Sequence, residues 1–316
     1  MTILNSLMKI PHNIKESNSF RSILKTLKLY TILKKIHKTS LRIIMGIKYG
    51  KDFRKYQIGT ISVAGITFKM YDPSLAYLSE AVAGKNYEPA VTNHLASLIA
   101  HKKYCFLDIG SFFGYFTIFI GSLNKECEIH AFEPNAKYFD ITKKNVDINQ
   151  LQVKLHRIAL SDETADIPFA DRSMKITQGM KSEIVQAIPF DDLAKKENIH
   201  PEIVKLDVHG SEGKVLFGMK HALKNDIKHI YCELHPSELL VGYTIKDCVD
   251  LLRESGFTLY EFNRFRKEKT PDMSKITDES YLNLIDSSKW TEEQVNARRM
   301  IYATKEPSTI NPNRSS

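Results

Sequence analysis

The chain is 316 residues long, room for one large domain or two smaller ones, with 42% apolar and 26% charged residues and a formal net charge of +8. No apolar run approaches the roughly 18 residues of a spanning helix, and residues 1–20 lack the apolar block and small-residue cleavage site of a secretory signal. The four cysteines, Cys105, Cys127, Cys232 and Cys248, include no C-x-x-C pair, which excludes a disulfide scaffold and a cysteine-clustered zinc site and suits a reducing, cytoplasmic setting.

The charge is concentrated at the N-terminus. Residues 1–60 hold thirteen Lys or Arg against Glu16 and Asp52, a net of +11, and the remaining 256 residues sum to −3. Phe20, Ile23, Leu24, Leu27, Tyr30 and Leu33 recur at helical spacing, with Lys25, Lys28, Lys34, Lys35 and Lys38 between them. Residues 1–57 therefore read as a basic amphipathic helical extension. Such a segment packs on the body with its lysines solvated, lies on an anionic membrane surface, or contacts nucleic acid. No nucleic-acid-binding motif accompanies it. Packing on the body and peripheral contact at the inner membrane face are the readings carried forward.

Residues 58–71 have the pattern of one or two strands turning near Gly65, and residues 87–100 place Leu95, Leu98 and Ile99 at helical spacing. From residue 104 a rhythm begins. Strands are expected at 104–109, 128–132, 153–160, 203–208, 227–234, 257–262 and 300–303. Helices are expected at 116–123, at 137–148, through Val215, Leu216 and Met219, and at 245–255. This alternation predicts a mostly parallel sheet covered on both faces, with ligands beyond the carboxyl ends of its strands. Residues 163–200 break the rhythm, with short strands near 166–169 and 183–188. Residues 264–295 are polar. Both stretches read as insertions, lids or plain exposed excursions. The domain is expected over 58–305, with a disordered tail at 306–316.

The first strand of the alternating region runs into D-I-G-S-F-F-G over 108–114, which opens a predicted helix. Gly110 permits a tight turn and close approach of backbone to a ligand, and Gly114 lets the helix start near the strand. Amides at such a helix start receive a carboxylate or phosphate. Phe112 stands where a dinucleotide fingerprint needs its second glycine, so G-x-G-x-x-G fails. D-x-G-x-x-x-G fits an adenosylmethionine pattern better, with Asp108 near the cofactor's ammonium. A structural strand-to-helix turn is the plain alternative. Glu133 lies 23 residues after Gly110 at the end of the next strand, and its two oxygens suit two ribose hydroxyls. Pro134 and Asn135 suit a helix start. After the third strand, Ser161 or Asp162 is a candidate for the adenine amino group, although Ser-Asp is also turn chemistry.

Taken in order, FLDIGSFFGYFTIFI, AFEPN, ALSD, VKLDVHGSEGKVLFGM and YCELHP resemble the FkbM-type methyltransferases, over about residues 80–236. The resemblance implies the class I methyltransferase fold, an α/β architecture with a Rossmann-like, seven-stranded, mostly parallel sheet. It implies S-adenosylmethionine as cofactor and O-methylation of a carbohydrate, glycolipid or natural product. It places Asp108, Gly110 and Gly114 at the methionine end, Glu133 on the ribose, and Ser161 or Asp162 near adenine. Tyr87, in Tyr87-Glu88-Pro89, is expected to close over the cofactor. Where the family commonly reads D-V-E-G-A-E, this chain reads D-V-H-G-S-E over 207–212. His209 thus removes a family role or supplies a different base.

Methyl transfer to a hydroxyl is an in-line displacement in which the cofactor supplies the reactivity and the protein the alignment. The acceptor must also lose its proton, so a general base helps. Asp207, His209, Glu212, Glu233 and His235 follow the fourth and fifth strands and are the candidates, His209 first because an unperturbed imidazole titrates near 6.5. An ordinary loop histidine and strand-end hydrogen bonding are the structural readings of the same residues. Lys205 is expected to pair with a nearby acid. Asp207, Glu233 and His235 are of the right donor types for a divalent ion, but sequence spacing does not establish geometry, and no metal is assigned. Trp290 either stacks on a sugar or packs. The expected partner is a small-molecule or glycan acceptor. The alternative is a catalytically silent methyltransferase-fold protein that binds through its basic extension.

Overall fold

The computed structural model describes residues 29–170, 174, 181–263, 266–267 and 271–306. The chain divides into two compact units, Met1–Gly59 and Thr60–Ser316. In the first, Leu29–Lys48 and Gly50–Tyr56 are helices. The apolar positions of the predicted stripe at Phe20, Ile23, Leu24 and Leu27 lie outside the described residues. Met45 and Phe53 are buried, whereas Ile43, Ile44 and Ile47 stay exposed.

The unit boundary falls within β1 (Ile58–Val63), which forms a two-stranded sheet with β2 (Ile66–Tyr71). Ala64 and Gly65, both at positive φ, make the predicted turn. The main sheet uses β3 (Cys105–Ile109), β4 (Glu128–Phe132), β5 (Lys154–His156), β9 (Ile203–Leu206), β10 (His229–Leu234), β11 (Thr258–Phe262), β12 (Met273–Lys275) and β13 (Arg299–Thr304). Among the described residues these eight pair in the order β12-β11-β13-β10-β9-β3-β4-β5. The run from β10 through β9, β3 and β4 to β5 is parallel, and β13 lies antiparallel between β10 and β11. The seven expected strands are all present, and β12 adds an eighth at the edge. Every residue of β3, β9 and β10 is buried, as in strands covered on both faces.

Helices provide the cover. Ile245–Glu254 turns Ile245, Cys248, Val249 and Leu252 inward, and its start is set by a reciprocal capping box between Thr244 and Asp247. All four cysteines are buried and unbridged.

One expectation is corrected, and two stretches hold elements that the sequence pattern does not predict. The single strand expected over 153–160 is two. β4 ends at Phe132, paired with His156, so the chain beyond has no partner on that edge. It turns instead into β6 (Ala159–Leu160), which joins β8 (Glu183–Ile188) and β7 (Ala165–Phe169) in a separate three-stranded sheet. The helix Phe190–Glu197 had no counterpart in the sequence reading, because it buries only Phe190 and Leu193. The polar stretch 264–295 is more than an excursion. It holds β12 and the helices Asp278–Ile285 and Glu292–Ala297. Trp290 is buried there and donates its Nε1–H to the carbonyls of Asn283 and Leu284, so it packs. Residues 307–316, most of the expected tail, lie outside the described residues.

Candidate active site

The carboxyl ends of β3, β4 and β9 converge on one cleft, lined by Asp108, Gly110, Glu133, Asp207 and His209 among others. The loop after β3 forms one wall. The amides of Gly110 and Ser111 both donate to the Phe132 carbonyl at 3.0 Å, tying the loop to β4. Gly110 has φ +82°, and a Cβ there would stand 1.9 Å from the Asp207 carbonyl oxygen. Only glycine lets the β3 and β9 exits cross so closely. Phe112 is also left-handed, at φ +53°. It is held there by its amide donating to Glu133 Oε2 and its carbonyl accepting from Thr142 Oγ1.

Glu133 reaches the cleft from the end of β4. Its other oxygen, Oε1, accepts the Asn135 amide at 2.9 Å, and Asn135 in turn caps the following helix. Asp108, on β3, lines the cleft and is buried. Its Oδ2 accepts both the amide and the hydroxyl of Thr117 in the first turn of the helix Tyr115–Leu123. Burial pushes the Asp108 carboxyl up to about 6, with Thr117 and Lys205 pulling the other way. Ser111 Oγ is buried in the same wall and accepts or donates no hydrogen bond among the described residues. Phe132, Ile158, Ala159, Leu160, Phe169 and Met174 make an apolar face. Tyr77 and Tyr87 meet edge to face, with ring centroids 4.7 Å apart, and complete the lining.

Ser161 and Asp162 are placed differently from the other predicted cofactor residues. Neither lines the cleft. Ser161 donates to Asp162 Oδ1, which also takes Lys214 Nζ, and Asp162 Oδ2 accepts from Tyr243. The turn from β5 into β6 brings the stretch 158–160, rather than the two polar side chains, to the cleft.

Asp207, His209, Glu212 and His235 come together beyond β9 and β10. His209 Nδ1 lies 3.2 Å and His235 Nε2 4.0 Å from Asp207 Oδ1. The two imidazole rings are 5.0 Å apart. His235 is buried, and its Nδ1 is 2.9 Å from Glu212 Oε1, which also accepts the Gly210 amide. Burial works against a charged His235, but Glu212, Asp207 and Glu233 outweigh it and raise its pKa. Burial likewise works against the Asp207 carboxylate, and His209, Lys205 and His235 together hold its pKa far below the usual range. His209 sits at φ +53°, a strained conformation for a residue with a side chain.

Glu233 goes elsewhere. Both its oxygens contact Arg266 Nη2, at 2.8 and 2.9 Å. Burial and the nearby Asp207 push the Glu233 carboxyl up to about 8, against the pull of Arg266. Arg266 also lies 3.6 Å from Glu88 Oε1, and Lys205 Nζ lies 3.7 Å from Glu88 Oε2. Glu88, Lys205 and Glu233 are all buried. Lys205 thus pairs with an acid as its position suggested, whereas Arg266 drew no notice in the sequence. It lies in a polar stretch with no motif around it.

Residues 104–259 match the family described as Methyltransferase FkbM domain. A curated relative, hexuronic acid methyltransferase AglP of Haloferax volcanii, is 33% identical over 138 residues, covering 41% of this chain. The match spans 54% of that relative's length. Solved structures give more distant likenesses. Methyltransferase FkbM from Methylobacillus flagellatus KT is 14% identical, with a TM-score of 0.38 over 64% of this chain and 43% of its own. A SAM-dependent methyltransferase from Agrobacterium tumefaciens is 10% identical, with a TM-score of 0.43 over 79% of this chain and 70% of its own.

Proposed function

We propose that this protein, whose residues 104–259 match the FkbM methyltransferase domain, methylates a carbohydrate hydroxyl with S-adenosylmethionine as donor. The observation that carries the proposal is one cleft lined both by Asp108, Gly110, Ser111 and Glu133 and by Asp207 and His209. The first set is a cofactor cradle and the second handles protons. The relative named for hexuronic acid supports a carbohydrate acceptor.

The residues fit such a cofactor. A Cβ at Gly110 would fill the cradle, and Ser111 Oγ is buried there with no hydrogen bond among the described residues. The chemistry supplied by bound S-adenosylmethionine is a methyl group activated on a sulfonium sulfur. Glu133 holds the ribose hydroxyls, and Asp108 and Ser111 receive the methionine end. The face formed by Phe132, Ile158, Leu160 and Phe169 takes the adenine. Tyr87 shields the mouth from water. The acceptor hydroxyl lies against Asp207 and His209, where its proton leaves, and Glu212 orients the buried His235 next to Asp207.

The test is calorimetric binding of S-adenosylmethionine, followed by transfer of labelled methyl groups to uronic-acid and neutral oligosaccharides. Saturable binding, weakened by Glu133→Ala, and labelling of a sugar acceptor are expected. A folded chain that does not bind the cofactor overturns the proposal. Binding without transfer to any acceptor favours the silent binding protein.

We also propose that residues 1–57 contact anionic lipid. Ile36, Ile43 and Ile47 share one face of the helix Leu29–Lys48 and are exposed, as is Ile44 beside them. Lys38, Arg42 and Lys48 are exposed on the same helix. No helix among the described residues is long and apolar enough to cross a membrane. Salt-sensitive co-sedimentation with phosphatidylglycerol vesicles but not phosphatidylcholine vesicles is expected, and its absence overturns this proposal.

A further inference from the structure

We infer that Asp207, His209 and His235 form a binding site for one divalent transition-metal ion. Asp207 Oδ1 is buried and receives no hydrogen bond from the described residues, although His209 Nδ1 is 3.2 Å away and His235 Nε2 4.0 Å away. The three donor atoms lie within 4.8 Å of one another. Ligands of a common ion at bond lengths of about 2.1 Å are roughly 3 to 3.5 Å apart. The His209 to Asp207 distance already matches this spacing, and His235 must close on Asp207 by about 0.5 to 1 Å.

The surroundings are those of a built site. Glu212 Oε1 takes the Nδ1 of His235 at 2.9 Å and the Gly210 amide at 3.0 Å. A carboxylate at Nδ1 keeps the proton on that nitrogen and leaves the Nε2 lone pair toward Asp207, an arrangement common behind metal-bound histidines. Glu212 is fully buried, so this orienting contact is shielded from water. The neighbouring Gly210 has φ +104°, and a Cβ there would stand 2.0 Å from the Leu239 carbonyl oxygen. Together with the strained φ of His209, this fixes the loop that carries one ligand. Two imidazoles and one carboxylate suit zinc, manganese, iron or cobalt better than magnesium or calcium. Glu233 is not a ligand, because Arg266 holds both its oxygens.

Asp207 and His209 also line the cleft, so the open coordination positions face the acceptor. An acceptor hydroxyl bound there loses its proton to water, the O–H electron pair staying on oxygen, at a lower pH than a free hydroxyl. This role rests on the methyltransferase reading; the ion site itself does not.

The test uses the full chain without a histidine tag, freed of metal by chelation. Zn²⁺ and Mn²⁺ binding is measured by calorimetry, Co²⁺ by its visible ligand-field bands, and S-adenosylmethionine binding on the same preparation. One equivalent of Zn²⁺ or Co²⁺ is expected, with Co²⁺ bands of a mixed nitrogen and oxygen site. His209→Gln, at a partly exposed position, and Asp207→Asn should weaken binding more than tenfold. Glu212→Gln should weaken it about 10- to 100-fold by misorienting His235. Circular dichroism confirms that each variant is folded. No saturable binding, or binding that His209→Gln and Asp207→Asn leave unchanged, overturns the ion site. If the cofactor binds and the metal does not, only the ion site falls. If one metal binds and is lost in His209→Gln while the cofactor does not bind, only the methyltransferase reading falls.

Discussion

The Phe112 amide donates to Glu133 Oε2 at 3.0 Å, so the acid that ends β4 also holds the loop that follows β3. Glu133 is thus both a cofactor contact in the proposed function and a strut of the cradle. Removing its carboxylate takes away acceptors for the Phe112 and Asn135 amides as well as for the ribose. Hydrogen bonds to charged groups contribute about 1.5–3 kcal/mol each. Glu133→Ala is therefore expected to lower S-adenosylmethionine affinity by about 100-fold and also to lower the melting temperature without ligand. Calorimetry and thermal melts check the two effects separately. A weakened affinity with an unchanged melt would show that the strut carries no load.

Gly110→Ala should be far more damaging than Gly65→Ala. Both glycines have positive φ, +82° and +78°. A Cβ at Gly65 meets nothing within 4 Å, so that change costs only the left-handed penalty of about 1–2 kcal/mol. At Gly110 the Cβ would overlap the Asp207 carbonyl oxygen at 1.9 Å, and either β3 or β9 must move. Denaturant unfolding of the two variants measures the difference, and equal losses would contradict the close crossing.

Lys205 is a buried cation among acids. Burial opposes its charge, but Glu88, Asp207, Glu233 and Asp108 outweigh burial and raise its pKa. Lys205→Met leaves those carboxylates uncompensated and should cost about 3–5 kcal/mol. Glu88→Gln removes one of them, so the double variant should lose less than the two single losses combined. A double-mutant cycle in urea reads the coupling directly. Strict additivity would mean that the 3.7 Å contact carries no energy.

His94 makes the fold sensitive to acid. It is 7% exposed, and burial, helped by His229, lowers its pKa to about 4. The unfolded chain takes up this proton near pH 6.5 and the folded chain only near 4, so stability from this residue is lost as the pH falls between those values. The loss amounts to about 3 kcal/mol. Because Asp108 and Glu233 shift the opposite way, the contribution is read as a difference between the wild type and His94→Gln. Unfolding free energies at pH 7 and pH 4.5 should converge for the two proteins as the pH falls. A constant gap would count against a neutral, buried His94.

The alternation of strands and helices was legible because β3, β9 and β10 are short apolar runs bounded by loops, and helices such as Ile245–Glu254 repeat their apolar residues at helical spacing. The break of 153–160 into β5 and β6 was not legible. Nothing at Arg157 or Ile158 is a turn signal, and the break arises because β4 ends and leaves no edge to pair with. The helix Phe190–Glu197 was missed for a related reason, since two buried residues make no periodic pattern.

The candidate site divides in the same way. The local pattern D-x-G-x-x-x-G and the strand-end Glu133 were readable because loop geometry and a following acid are set by near neighbours in the chain. The sequence alone determined the fold class and placed the glycine loop after β3 and the acid after β4 at neighbouring strand ends. Tertiary structure decided which polar groups meet. It turned Ser161 and Asp162 away toward Lys214 and Tyr243, gave Glu233 to Arg266 from a remote polar stretch, and set His209 and His235 on either side of Asp207. Such meetings depend on strand register and on loop crossings between segments 52 residues apart at Asp162 and Lys214, 81 at Asp162 and Tyr243, and farther still at Glu88 and Arg266. Spacing along the chain carries no information about distances across it.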